Sequence, residues 1–311
     1  MWLNHRNCAI IVRDSKVLFM KNWFRLFRVN DYIKNVLIFF PAFFGGRIFA
    51  GNNLALLGLT FLVFSLLSSA IYIINDLLDF RLDSKHPLKK ARPLADGRIS
   101  TPKATLASIS LIVVTIVSSF FISPGLSTVL VFYLLINLAY SLYLKHFAPY
   151  DLLIIALGFL LRIQAGGIVS STEISWWLYV MIFLFAISFG FAKRLEEIQL
   201  LIQHQVEPSK VRPSLRFYSA GFLQQGIISV ILIAYICYVF YTLTDETISR
   251  LQSSYVFVTC LPVTFGVYHY IVLVRKSNQP ISPQAILRKN LPIQLAIFSW
   301  LVMMIYFIYR K

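Results

Sequence analysis

Nine stretches of this chain are long and apolar enough to cross a bilayer, at roughly residues 32–50, 54–76, 104–122, 126–144, 150–169, 176–192, 219–241, 254–274 and 291–309. A spanning helix needs about 20 mostly apolar residues, and in hydrocarbon every backbone N–H and C=O must be satisfied inside the segment or a closed barrel. The pattern therefore predicts an all-α, polytopic membrane protein. Pro41 lies within the first stretch, and Arg162 and Gln164 interrupt the fifth. Only 14% of the residues are charged, and the mean hydropathy is +0.72; soluble domains carry about 25% charge. Cys8, Cys237 and Cys260 are far apart and the five histidines are scattered, which supports neither a disulfide framework nor a zinc site.

The net charge of +16 would point to nucleic acid in a soluble protein. Here no nucleic-acid partner is expected, because basic loops that orient helices and meet anionic headgroups account for it. Of 29 Lys and Arg, 24 fall on one side of the nine stretches: seven in residues 1–34, seven from Arg81 to Lys103, Lys145, five from Lys193 to Arg216, and Arg275, Lys276, Arg288 and Lys289. The other side holds Arg47, Arg250, Arg310 and Lys311, with Arg162 inside a span. The positive-inside rule then places the N-terminus and the long loops in the cytoplasm, in a multi-pass protein of the inner membrane. The Arg310-Lys311 pair falls outside under this scheme. The segments Ile122–Ser127 and Ser170–Ser175 on the opposite face are short and nearly uncharged, so the chemistry is expected on the inner face.

Residues 1–28 read as a basic amphipathic surface segment, with Lys16, Lys21, Arg25 and Arg28 set among Leu18, Phe19, Trp23, Leu26 and Phe27. The apolar run Cys8–Val12 is too short for a signal peptide, and Arg13 and Asp14 end it. The domain expected to carry the function spans residues 29–311.

The most informative run is Asn75-Asp76-Leu-Leu-Asp79-Phe-Arg-Leu-Asp83. Asn75, Asp79 and Asp83 are spaced i, i+4, i+8, so on a helix they share one face, about 6 Å apart along the axis. Three oxygen-bearing side chains at the end of an apolar span are costly without a compensating cation, and hard oxygen ligands suit Mg²⁺. A solvated helix end is the plainer explanation for any single aspartate; the spacing favours metal. Lys85, Lys89, Lys90 and Arg92 follow directly, as cations would beside a metal that bridges phosphate oxygens, although a basic topology anchor predicts them too.

Asn75-Asp76-x-x-Asp79-x-x-x-Asp83, followed by His86-Pro87-x-Lys89-x-x-Arg92-Pro93-x-Ala95-x-Gly97, resembles the first signature of the UbiA prenyltransferase superfamily. The resemblance runs from about Arg28 to the C-terminus. It implies nine transmembrane helices around a central cavity and Mg²⁺ that binds a substrate diphosphate. Prenyl-transferring members of that superfamily carry a second aspartate-rich motif after the sixth span. This chain has Lys193-Arg194-Leu-Glu-Glu197 there, then Arg212-Pro-Ser-Leu215-Arg216-Phe-Tyr218. That region is similar to one branch, the decaprenyl-phosphate phosphoribosyltransferases. Lys34-Asn35, the Tyr140-Ser141-x-x-Leu144-Lys145 run with Asp151, and Gly158-Phe-Leu-Leu-Arg162-x-x-Ala165-Gly166-Gly167 are similar to the same branch.

The resemblance implies an enzyme, a Mg²⁺-dependent pentosyl transferase that moves 5-phosphoribose from phosphoribosyl diphosphate to a polyprenyl phosphate and releases pyrophosphate. Asn75, Asp79 and Asp83 become the catalytic metal ligands. Lys34, Lys89, Arg92, Lys145, Lys193 and Arg194 become candidates for phosphate contact, with Asp76 and Tyr140 as further substrate-binding positions. Glu197 is either a metal ligand or ribose-hydroxyl acceptor, or the ion-pair partner of Lys193 one turn before it. Arg162 is a buried transmembrane arginine, hence a functional candidate, with acceptor phosphate or Asp151 as its partner. Gly158, Gly166 and Gly167 fit close helix packing. Self-association into a homo-oligomer is left open. Two other readings compete: prenyl transfer to an aromatic or glycerol-phosphate acceptor, opposed by the missing second aspartate motif, and a transporter or flippase, which calls for charged residues near mid-membrane in several spans.

Overall fold

The computed structural model describes residues 20–84, 89–208, 213–276, 286 and 289–310. Within them the chain is helical, with no strand. Eight described helical segments are long and apolar enough to cross a membrane: Asn53–Leu78, Thr101–Ile122, Pro124–Leu142, Tyr150–Val169, Trp176–Gln203, Ala220–Leu243, Ser254–Lys276 and Leu291–Tyr309. They match the second to ninth predicted spans closely at most boundaries, and the protein is an integral membrane protein. The largest difference is the Trp176–Gln203 helix, which runs well past its predicted end and carries Lys193 to Glu197 on regular helix. A short helix, Asp245–Leu251, lies in a connection read as loop.

The first predicted span is not a single α-helix. Val29–Phe39 is a 3₁₀ helix, Phe40–Phe44 is one short α-helical turn, and Gly45 and Gly46 end it, with Gly46 at φ +66°. Pro41 explains part of the break, because it has no N–H to give to the carbonyl four residues earlier. Polar side chains stabilise the tighter segment instead: Asn35 donates to Ser65 Oγ at 2.8 Å, and the Tyr32 and Ser69 hydroxyls are 2.8 Å apart.

The chain divides into two compact units, one of Met1–Val36 with Gly58–Leu142 and one of Leu37–Leu57 with Tyr143–Lys311. In the first, residues 20–26 are helical, and Leu26 packs with Ile73, Leu94, Ile99 and Ala104. The Thr101–Ile122 helix buries small residues, Ala104, Ser108, Thr115 and Ser119, and exposes Leu106, Ile109, Val113 and Phe120. That is the polarity of a lipid-facing helix, where small residues permit close approach. The buried hydroxyls return to their own helix, Thr115 to the Leu111 carbonyl and Ser119 to that of Ile116, both at 2.7 Å.

In the second unit, Leu37, Ala156, Phe159, Ile163, Ile182 and Ala186 form one apolar cluster. Gly166 seats the segment that replaces the first span: a Cβ there would lie 1.9 Å from the Ile38 carbonyl oxygen. At Gly167 a Cβ would meet the Ile174 side chain at 2.6 Å. Both glycines therefore serve close packing.

Candidate active site

Two charged clusters carry the predicted site residues, one in each unit. In the first, the Asn53–Leu78 helix ends just before Asp79, and Phe80–Asp83 resumes as a short turn. Asp79 N–H still bonds the Asn75 carbonyl at 3.0 Å, and Asp83 N–H the Asp79 carbonyl at 2.8 Å, so the i, i+4, i+8 register survives the break. Asn75 Nδ2 donates to Asp79 Oδ2 at 3.3 Å.

Asp76 is the centre of this cluster. Its Oδ1 accepts from Arg28 Nη2 at 2.5 Å and from Arg92 Nη1 at 3.0 Å, and Arg92 Nη1 also donates to Asp83 Oδ2. Asp76 and Asp83 are seven residues, about two turns, apart, which lets one guanidinium reach both. Each is only 4% exposed. Burial pushes the Asp83 carboxyl above the ordinary aspartate range; Arg92 and Lys89 pull it down, while Asp76 and Asp79 raise it further. Crowded carboxylates next to only partly compensating cations fit a divalent cation. Among the described residues, no three His, Cys, Asp or Glu side chains group closely enough to enclose a metal alone. A Mg²⁺ held by Asn75, Asp79 and Asp83 would complete its shell with water and substrate oxygens, as this ion usually does.

Lys34 Nζ pairs with Asp31 Oδ1 at 2.7 Å. Lys89 and Tyr140 are half-buried. Arg28, which the sequence places in the basic surface segment, has φ 51° and lies 4.6 Å from the Tyr72 ring centroid as well as on Asp76. The sequence offered no signal that distinguishes it from Arg25 or Lys21. Lys16, Leu18 and Phe19 of that segment, Lys85 of the basic run, His86 and Pro87 of the first signature, Arg212 and Arg288 lie outside the described residues.

The second cluster has an arginine at its centre. Arg194 is 2% exposed, with Nε 3.2 Å from Asp151 Oδ2 and Nη1 donating to Glu197 Oε2. Asp151 is fully buried; it accepts from Tyr218 Oη at 2.8 Å and Ser214 Oγ at 3.3 Å. Leu215 and Tyr218 pack with Leu152, Ile198, Leu201 and Leu223, so the Leu-x-x-Tyr part of the late motif is the apolar footing of the Asp151–Arg194 contact. Glu197 thus forms an ion pair with Arg194, and Lys193 is exposed. Asp151 was read from the sequence as a possible partner of Arg162; its described contacts are with Arg194, Ser214 and Tyr218, and Tyr218 was visible only as a motif letter.

Lys145 is buried in the short turn Leu144–His146. Arg162 is 4% exposed, donates from Nη1 to the Gly158 carbonyl at 2.6 Å, and has its guanidinium 5.8 Å from the Phe159 ring centroid.

A profile described as the UbiA prenyltransferase family matches residues 38–291. Decaprenyl-phosphate phosphoribosyltransferase of Mycobacterium tuberculosis (strain CDC 1551 / Oshkosh) is 29% identical over 281 residues, 88% of this chain and 90% of the relative. The protein of the same name from Mycolicibacterium smegmatis is 28% identical over 79% of this chain and 78% of its own length. A UbiA homologue from Archaeoglobus fulgidus, solved bound to GPP and Mg²⁺, shares the fold with a TM-score of 0.69 at 19% identity, over 92% of this chain and 99% of that one.

Proposed function

This chain belongs to the UbiA prenyltransferase family, and we propose that it moves 5-phosphoribose from phosphoribosyl diphosphate to a polyprenyl phosphate. An acceptor phosphate oxygen forms a bond to the anomeric carbon. The C–O bond to the diphosphate breaks, and pyrophosphate leaves with the electron pair. The acceptor is already an anion, so no strong general base is needed.

The observation that carries this reading is Arg194. Where prenyl-transferring members carry a second aspartate motif, this chain holds a buried arginine on Asp151 and Glu197. A donor with both a diphosphate and a 5-phosphate asks for cations in addition to its metal clamp, and a preorganised guanidinium is one such group. The names of the two mycobacterial relatives support the same substrates.

Asn75, Asp79 and Asp83 would hold Mg²⁺, which when bound neutralises charge on the leaving diphosphate. Arg28, Asp76, Lys89 and Arg92 form the charged wall around those ligands, and Lys34 adds a further phosphate contact. In the second unit Lys145, Lys193 and Arg194 are the phosphate-binding cations, and Arg162 takes the acceptor phosphate. Glu197 fixes Arg194 and is the candidate ribose-hydroxyl acceptor. Tyr140 lies within the run that resembles the same branch. The N-terminus and active site lie on the cytoplasmic side of the inner membrane.

The test is purified protein in detergent with Mg²⁺, labelled phosphoribosyl diphosphate and a polyprenyl phosphate. Label is expected in the lipid fraction. No labelled lipid, together with turnover of a prenyl diphosphate and an aromatic acceptor, would replace this reading with prenyl transfer.

A further inference from the structure

The Trp176–Gln203 helix has a second polar site at its other end, 19 residues and about 28 Å along the axis from Arg194. There a cavity of about 130 Å³ is bounded by Ser175, Glu173 and Arg250 on its polar side and by Phe44, Leu178 and Trp300 among its apolar walls. A water needs roughly 10–15 Å³ of this kind of volume, so the cavity takes about ten water-sized groups, enough for a run of methylenes.

Three observations say what belongs there. Arg250 Nη2 donates to Tyr241 Oη at 3.1 Å, but its Nε is buried without a hydrogen-bond partner among the described residues. Ser175 is the N-cap of the 28-residue helix, yet its hydroxyl makes no capping bond and is also buried without such a partner. A cationic N–H, an idle hydroxyl and a helix N-terminus together form an anion site, and each buried unsatisfied group is costly unless a ligand meets it. Third, Glu173 stands at the same cavity and is exposed. A simple anion would be repelled by that carboxylate, whereas a head that carries phosphate and amine satisfies both charges.

We propose that this cavity binds one zwitterionic phospholipid with a primary-amine head. Its phosphate lies on Arg250 and Ser175, its ammonium on Glu173, and the start of one acyl chain runs between Phe44, Leu178 and Trp300. The site is separate from the transferase chemistry and holds whichever group the enzyme transfers.

Delipidated protein in detergent, offered phosphatidylethanolamine, phosphatidylcholine or phosphatidylglycerol with matched chains, tests this by native mass spectrometry. One phosphatidylethanolamine per chain should be retained in preference to the other two. Arg250→Ala should weaken retention about tenfold or more, the loss expected for a charge-assisted bond. Ser175→Ala, which leaves the guanidinium in place, should weaken it a few-fold, and Glu173→Gln should shift preference toward phosphatidylglycerol. Equal retention of all three lipids, or unchanged selectivity in both Ser175→Ala and Glu173→Gln, overturns the proposal even if Arg250→Ala does not fold.

Discussion

Asp76 and Arg194 are the centres of two charge clusters built with opposite polarity. Around Asp76 the buried group is a carboxylate, and the cations on it, Arg28 and Arg92, keep 23% and 26% of their side-chain surface exposed. Around Arg194 the buried group is the cation, at 2%, and its inner carboxylate, Asp151, is fully enclosed and further fixed by Tyr218 and Ser214. The first cluster can release one arginine toward water while the other still holds Asp76. The second cannot, because removing either partner strands a charge in the interior. The metal site and fixed phosphate receptor proposed above would call for these two behaviours respectively.

The largest expected effect breaks the first cluster without unfolding it. Asp79→Ala and Asp83→Ala should each lower label transfer roughly a thousandfold, the scale on which removal of a transition-state charge stabiliser acts, with the thermal unfolding temperature retained. Near-normal turnover in both would remove the metal assignment. Next, Arg194→Ala should cost about 3–5 kcal/mol of stability because it leaves Asp151 buried and unpaired, whereas Arg92→Ala should cost less because Arg28 remains on Asp76. Thermal denaturation in detergent measures both, and equal losses would abolish the contrast. Tyr218→Phe removes one of the hydroxyls on Asp151 and should destabilise by about 1–3 kcal/mol, a loss absent if Tyr218 serves only apolar packing. The smallest effect belongs to the exposed Asp96–Arg98 pair, worth at most about 1 kcal/mol. The hydrogen bond from Arg98 holds the Asp96 carboxyl below its ordinary range. Its contribution is therefore present above the unfolded-state value and fades as pH falls through the depressed one, which Asp96→Asn should erase.

The long spans were legible because hydrocarbon leaves the backbone few options, so apolar length alone decides the element. Leu291–Tyr309 falls where its composition placed it. The first span misled because Pro41 and a backbone contact at Gly166 decide its shape, and only the proline is local to it. In the site, the Asn75–Asp79–Asp83 register could be read from spacing. That Asp76 holds two arginines could not, since Arg28 lies 48 residues away in the chain. Asp151 and Tyr218 are likewise 67 residues apart, and the sequence pointed Asp151 toward Arg162 rather than toward Tyr218.

The length of the Trp176–Gln203 helix bears on where the reaction can happen. Its 28 residues measure about 42 Å, against about 30 Å for the hydrocarbon layer. With Trp176 and Trp177 at one water boundary, where indoles settle, the turn that carries Lys193 to Glu197 comes level with the opposite headgroups, and the last two turns rise into water. A highly charged sugar phosphate could then meet that turn without crossing any oil. A polyprenyl phosphate would already present its head at the same height, its tail left among the lipids. For the proposed reaction the helix would work as a depth gauge, setting the level at which a water-borne donor and a membrane-borne acceptor face one another.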